Sequence, residues 1–188
     1  MITRYHAKYY AQLLSQKSVG DNLQNLSQSL LNSAVDINPH QIDAALFAFK
    51  SPLSKGVVLA DEVGLGKTIE AGLVLCQMWS TGKRKIIIVC PASLRKQWSF
   101  ELAEKFGIAT EILDAKVFNA YVAEGKNPFS YNRVIICSYN FAAKKKAEVL
   151  RHGFDLAIVD EAHKLRNVYR KSARTAADVR DALAGTKK

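Results

Sequence analysis

No apolar stretch in the sequence approaches the roughly 18 to 20 residues that a membrane-spanning helix requires. The first ten residues are interrupted by polar groups throughout, so they lack the apolar region of a secretory signal peptide. Cysteine is also scarce, since Cys76, Cys90 and Cys137 occur without CxxC spacing and without nearby histidines. We therefore expect a cytoplasmic protein with no membrane partner, whose cysteines are reduced core residues.

Acidic residues are outnumbered by basic ones, and the formal net charge is +10. A basic surface attracts polyanions through counterion release, which makes a nucleic-acid partner plausible, although many basic domains bind none. The length of 188 residues suits one domain with a substantial core.

Hydrophobic periodicity divides the chain into two parts. Leucines at spacings of three and four predict a helical extension over residues 1–36, and Asn38-Pro39 predicts the start of another helix, which Pro52 ends. Beyond residue 56, short β-branched runs alternate with helical segments, as in buried parallel strands joined by crossover helices. The predicted strands are 57–60, 85–90, 111–113, 133–138 and 156–160, and the predicted helices are 67–80, 94–106, 115–124, 141–151 and 172–183. We predict an α/β fold for residues 37–188.

A glycine-rich loop follows the first predicted strand and precedes a helix, which is the setting that a phosphate-binding loop needs. Gly64 and Gly66 allow backbone N–H groups to surround a phosphate, and the helix N-terminus adds positive partial charge. Lys67 is expected to reach the β- and γ-phosphates, and the Thr68 hydroxyl to ligate Mg²⁺. Asp61 stands where the strict pattern has a glycine. The alternative is a glycine turn that opens an ordinary helix.

Two carboxylates follow the last predicted strand, where α/β folds place their ligands. Asp160 is expected to hold Mg²⁺ through a water, and Glu161 to orient or deprotonate the attacking water. The alternative is that both only complement a helix dipole. His163 has the alternative of a surface histidine, and its spacing excludes the HExxH zinc motif.

With both motifs in place, the chain resembles the first RecA-like lobe of SWI/SNF-type helicase-like ATPases of superfamily 2, and most closely their bacterial branch with the RNA-polymerase-recycling ATPase. The resemblance covers about residues 39–167 and rests on blocks in the family's order: NPHQ (38–41), ADEVGLGKTIEAGLVL (60–75), PASLRKQW (91–98), SYN (138–140) and VDEAHKLRN (159–167).

The resemblance implies ATP and Mg²⁺ as cofactors and duplex DNA as the partner. It implies that Gln41 contacts adenine, that Ser93, Lys96, Ser138 and Tyr139 contact the DNA backbone, and that His163 couples the two sites. Purely structural roles are the alternative for the DNA-side blocks. Ser93 is a possible helix cap, Trp98 is a possible core residue, and Lys96 is a possible solvent-exposed charge.

The family continues with a Thr-Ala-Thr strand and a second RecA-like lobe that carries a catalytic arginine. Neither occurs in this sequence, so we expect a RecA-like P-loop lobe, mainly parallel and flanked by helices, that is truncated before its final strands. In the family, the Thr-Ala-Thr strand lies between the phosphate-loop strand and the acidic-motif strand. A chain without it would lack a central strand, so we expect a perturbed sheet and some self-association.

The leading hypothesis is a DNA translocase, in which ATP hydrolysis drives movement along duplex DNA. One alternative is a strand-separating DNA or RNA helicase of the same superfamily. Another is a non-catalytic module that docks to RNA polymerase or another DNA-processing protein, against which the intact Lys67, Asp160 and Glu161 argue.

Overall fold

The structure is a computed structural model that describes residues 38–50, 56–60, 66–130, 132–166 and 174–188. In chain order its helices are α1 (Pro39–Lys50), α2 (Lys67–Ser80), α3 (Arg95–Phe106), α4 (Ala115–Ala123), α5 (Tyr139–Lys144), α6 (Lys146–His152) and α7 (Arg174–Ala182). Its strands are β1 (Ile86–Cys90), β2 (Thr110–Leu113), β3 (Val134–Ser138) and β4 (Leu156–Val159). The predicted helical extension over residues 1–36 lies outside the described residues.

The strands form a parallel sheet in the order β2-β3-β1-β4. All five residues of β1 are buried, because this strand lies between two neighbours and both faces of the sheet are covered by helices. The predicted α/β fold is confirmed. The predicted burial holds for β1 and for most of β3, whereas three of the four residues in β2 and in β4 are half-buried.

Each face of the sheet carries its own apolar core. Ile86 and Ile88 of β1 face a core that includes residues of α1, α2 and α3. Ile87 and Val89 face the opposite core, where aromatic side chains gather between the sheet and the remaining helices. The alternation follows from the two-residue period of a strand. The three cysteines are free and buried, as predicted.

The predicted strand at residues 57–60 is wrong, because this segment has no strand conformation. Its Val57 and Leu59 side chains still pack against the core, whereas Val58 is 82% exposed. The outer edge of β4 is hydrogen-bonded to another part of the chain, since the Ala157 N–H donates to the Lys188 carbonyl and the Lys188 N–H donates to the Asp155 carbonyl. A strand forms only where a neighbour offers matching donors and acceptors, and none of the described residues pairs with 57–60.

The predicted helix over 141–151 is two shorter helices, α5 and α6, that meet at Lys145. This residue has φ −106° and ψ 28°, outside the helical region, and its ammonium group lies 4.1 Å from the centre of the Phe118 ring. Lys146 forms ion pairs with Asp178 and Asp181 of α7. These tertiary contacts position the two pieces separately. Within the described part of the chain, no helix is both long and apolar enough to cross a membrane.

Candidate nucleotide and nucleic-acid site

Gly66 is the described end of the predicted phosphate loop and immediately precedes α2. It has φ 89° and ψ 36°, in the left-handed region that glycine adopts without strain. Lys67 and Thr68 form the first turn of α2, and both are half-buried. The backbone N–H groups and the dipole of such a helix N-terminus favour a phosphate group. Gly64, the other predicted phosphate-loop glycine, lies outside the described residues.

Gln41 of α1 lies against this glycine. A Cβ atom placed on Gly66 would be 2.5 Å from the Gln41 Nε2 atom, so any larger residue at position 66 would displace the Gln41 amide. Gln41 is buried, and its Oε1 atom accepts a hydrogen bond of 3.1 Å from the Asn38 N–H. The structure therefore brings the block around Gln41 and the phosphate loop together. The contact of Gln41 with adenine stays a prediction.

The acidic pair follows β4 directly, at the carboxyl end of the sheet. The Asp160 N–H donates to the Val89 carbonyl at 2.9 Å and so extends the pairing with β1 by one residue. Glu161 then adopts φ 58° and ψ 46°, and it is the one non-glycine residue with positive φ within the described ranges. The His163 Nδ1 atom lies 2.9 Å from Glu161 Oε2, with both side chains about half exposed. The coupling role of His163 is not tested by this contact.

Two aromatic side chains from the predicted DNA-side blocks hold Asp160. The Trp98 indole Nε1–H donates to Asp160 Oδ2 at 2.8 Å. The Tyr139 hydroxyl donates to the Asp160 carbonyl at 2.5 Å and lies 3.3 Å from the Glu161 carbonyl. Side chain and backbone of Asp160 are therefore fixed by different partners.

Burial dominates the electrostatics around these contacts. It raises the pKa of Tyr139 far above its usual value, and the negative charge of Asp160 adds to this, so the hydroxyl remains a proton donor. Burial also raises the pKa of Cys90 to about 11, again with a contribution from Asp160. Cys90 is consequently a neutral thiol at physiological pH.

The two DNA-side blocks begin next to each other, because Cys90 at the end of β1 is the register partner of Ser138 at the end of β3.

The side chains of these blocks differ in exposure and in capping role. Ser93 and Lys96 are exposed. Ser93 lies in a 3-10 turn (Ala92–Leu94), and Lys96 lies in the first turn of α3. Ser93 is not the cap of α3, whose N-cap is Leu94. The Ser138 hydroxyl caps α5 by accepting from the Phe141 N–H at 3.2 Å.

Tyr139 differs from Ser93 and Lys96 in its position. It is buried, and its hydroxyl is engaged inside the fold by the acidic motif. The DNA-backbone contacts assigned to Ser93, Lys96, Ser138 and Tyr139 remain predictions, and the structure supplies accessible side chains for the first two.

The donors that the sequence assigns to Mg²⁺ fit that ion chemically. The Thr68 hydroxyl and the Asp160 carboxylate are hard oxygen ligands, and Mg²⁺ is commonly held by one or two such groups together with phosphates and waters. In the described ranges, no group of three or more His, Cys, Asp or Glu side chains is placed to hold a metal ion.

The links of Trp98 and Tyr139 to the acidic motif were missed by sequence reasoning. Trp98 stands 62 residues before its partner, and the sequence predicts for it only a core position or a place in a DNA-side block. It is 4% exposed, so the core interpretation is confirmed, but a buried indole N–H also needs an acceptor. This need for an acceptor is the sequence signal that indicates a polar contact of Trp98, but it does not identify Asp160 as the acceptor.

Comparison with known proteins identifies the relatives. The SNF2-related domain family matches residues 5–183. A solved structure described as the Sulfolobus solfataricus SWI2/SNF2 ATPase core in complex with dsDNA superposes with a TM-score of 0.68 at 21% identity. The match covers 83% of this chain and spans 31% of the length of that one. Family match, RecA-like α/β fold and motif positions agree, and the chain therefore belongs to the SNF2-related domain family.

Proposed function

We propose that this chain is the ATP-binding lobe of an ATP-dependent translocase that moves along duplex DNA. The observation that carries the proposal is the junction at Asp160, where the acidic motif contacts both blocks that the family resemblance assigns to DNA. In a translocase, the nucleotide-binding site and the DNA-binding site must be structurally connected, so that hydrolysis at one changes binding at the other. Here that connection consists of direct hydrogen bonds.

In this proposal the first turn of α2 binds the phosphates. Lys67 neutralises the β- and γ-phosphates, and the backbone N–H groups that follow Gly66 orient them. Mg²⁺, when bound through Thr68 and Asp160, supplies positive charge that stabilises the transferring phosphoryl group. Glu161 orients the attacking water and accepts its proton. Its carboxylate is half exposed and therefore accessible to water.

Duplex DNA is the proposed track. The net charge of +10 favours a phosphate backbone, and the exposed Ser93 and Lys96 lie at the same end of the sheet as the acidic motif. The structurally similar Sulfolobus protein was solved in complex with dsDNA. We further propose a cytoplasmic location and, as a candidate partner, RNA polymerase or another DNA-processing protein, on the basis of the bacterial-branch resemblance.

The test is the stimulation of ATP hydrolysis in the intact protein by duplex DNA, single-stranded DNA and RNA of equal length. We expect the largest increase with duplex DNA, and no strand separation in a parallel unwinding assay. Preferential stimulation by RNA, or unwinding, would favour the helicase alternative. Hydrolysis that no nucleic acid stimulates would leave the docking module as the better hypothesis. Glu161→Gln serves as the hydrolysis-deficient control.

A further inference from the structure

Trp98 differs from the other buried apolar side chains of its core because its ring carries a donor. The indole is 4% exposed, and its N–H donates to Asp160 Oδ2 at 2.8 Å. A hydrogen bond to a carboxylate is short and strong compared with one between neutral groups. The indole side of this bond is buried, whereas Asp160 is half-buried. The contact therefore restricts the direction of the Asp160 side chain.

The backbone of Asp160 is fixed independently of this bond. Its N–H donates to Val89 of β1, and its carbonyl accepts from Tyr139. With the main chain fixed, the remaining freedom of Asp160 is rotation of its side chain, and the Trp98 indole removes it. Among the described residues, only the Oδ2 atom of this carboxylate accepts a hydrogen bond, which leaves Oδ1 available on the other side.

Trp98 also lies on α3, the helix whose first turn carries Lys96. An α-helix transmits a displacement along its axis because its backbone hydrogen bonds hold successive turns together. A contact made at the exposed start of α3 therefore acts on the indole that holds Asp160. Lys96 itself is exposed and is therefore accessible for such a contact.

We propose that Trp98 is a positioning residue that holds the Asp160 carboxylate in its metal-binding orientation and ties that orientation to α3. This assignment rests on the proposed function, because it takes Asp160 as the residue that holds Mg²⁺. Groups that orient a metal-binding side chain affect metal affinity by about 10- to 100-fold when they are removed. Trp98 acts only through Asp160 and has no contact with substrate in this proposal.

The first experiment measures ADP binding by calorimetry, once with Mg²⁺ and once with EDTA. Trp98→Phe keeps an aromatic ring in the core but removes the N–H donor. We expect it to bind ADP normally in EDTA and to lose about 10-fold or more of the affinity gained from Mg²⁺. Trp79→Phe is the matched control, because the Trp79 ring stacks on Arg84 and not on the acidic motif. It should retain the whole Mg²⁺ effect.

The second experiment does not depend on the folding of the Trp98 variant. The sequence contains two tryptophans, so in the Trp79→Phe protein all indole fluorescence comes from Trp98. We expect Mg²⁺ with ADP to shift this emission more than ADP alone, and Asp160→Asn in the same background to remove the difference. Circular dichroism reports whether each variant is folded.

The outcomes separate the two hypotheses. A Mg²⁺ effect that is unchanged in Trp98→Phe, or Trp98 emission that is insensitive to Mg²⁺, would overturn the positioning role while the proposed function stands. The proposed function itself would be overturned if the protein does not bind ADP, or if its ADP binding persists in Lys67→Ala. If Trp98→Phe fails to fold, the fluorescence result alone decides the positioning role.

Discussion

The left-handed backbone of Glu161 leads to a sharp prediction about stability. With φ 58° and ψ 46°, this residue occupies a region that costs a residue with a Cβ atom about 1–2 kcal/mol, but costs glycine almost nothing. We expect Glu161→Gly to be more stable than Glu161→Ala. The comparison with alanine is needed because both variants lose the same contact with His163.

The magnitude follows from two opposing contributions. Glycine relieves about 1–2 kcal/mol of left-handed strain. It also makes the unfolded chain more flexible, which costs roughly 0.5–1 kcal/mol relative to alanine. The glycine variant should therefore exceed the alanine variant by about 0.75 kcal/mol in free energy of unfolding, which is the difference between the midpoints of the two ranges. At most positions the sign is opposite, since glycine usually destabilises relative to alanine.

The assay is urea denaturation of both variants, followed by circular dichroism and analysed by linear extrapolation. A difference of 1 kcal/mol corresponds to about 2–4 °C in Tm for a domain of this size, so thermal melts provide a second measure. An alanine variant that equals or exceeds the glycine variant would refute the strained conformation. If the glycine variant is more stable, the strain at Glu161 is retained at a cost, as is common in functional loops.

The remaining predictions concern binding, turnover and assembly. We expect weak ADP or ATP binding in calorimetry and its loss in Lys67→Ala, and an unchanged affinity would contradict the phosphate-loop assignment. DNA binding, measured by fluorescence anisotropy, should be modest, weaken in Lys96→Ala and fall steeply with salt, so equal affinity at low and high salt would count against backbone contacts. Hydrolysis by the 188-residue chain should be near background, because the resemblance places a catalytic arginine in a second lobe. The loss of such an arginine lowers the rate by roughly 10³–10⁵. Robust turnover that Glu161→Gln abolishes would show this expectation to be wrong. Sedimentation should reveal some self-association that Val58→Ser reduces, since this side chain is 82% exposed, and a monodisperse monomer would argue against it.

Local sequence patterns predicted most of the elements. The predicted helix 67–80 coincides with α2, because a glycine in the left-handed region starts it and apolar residues continue at helical spacing. The strands β1 to β4 lie within one residue of their predicted bounds, since short apolar runs rich in β-branched residues carry a strong signal. The motifs also placed the acidic pair correctly at the carboxyl end of a buried strand.

Contacts between distant residues were decided only by the tertiary structure. Residues 57–60 have the composition of a strand, but a strand also needs a neighbour, and β4 is hydrogen-bonded to Lys188 on its outer edge. The partner of the Trp98 N–H likewise depends on how α3 lies against the sheet, which no local period encodes. The sequence by itself determined most of the helices and strands and which residues have the chemistry to bind a nucleotide. The fold decided which of them meet, because hydrogen bonds across 62 residues arise from packing and not from spacing along the chain.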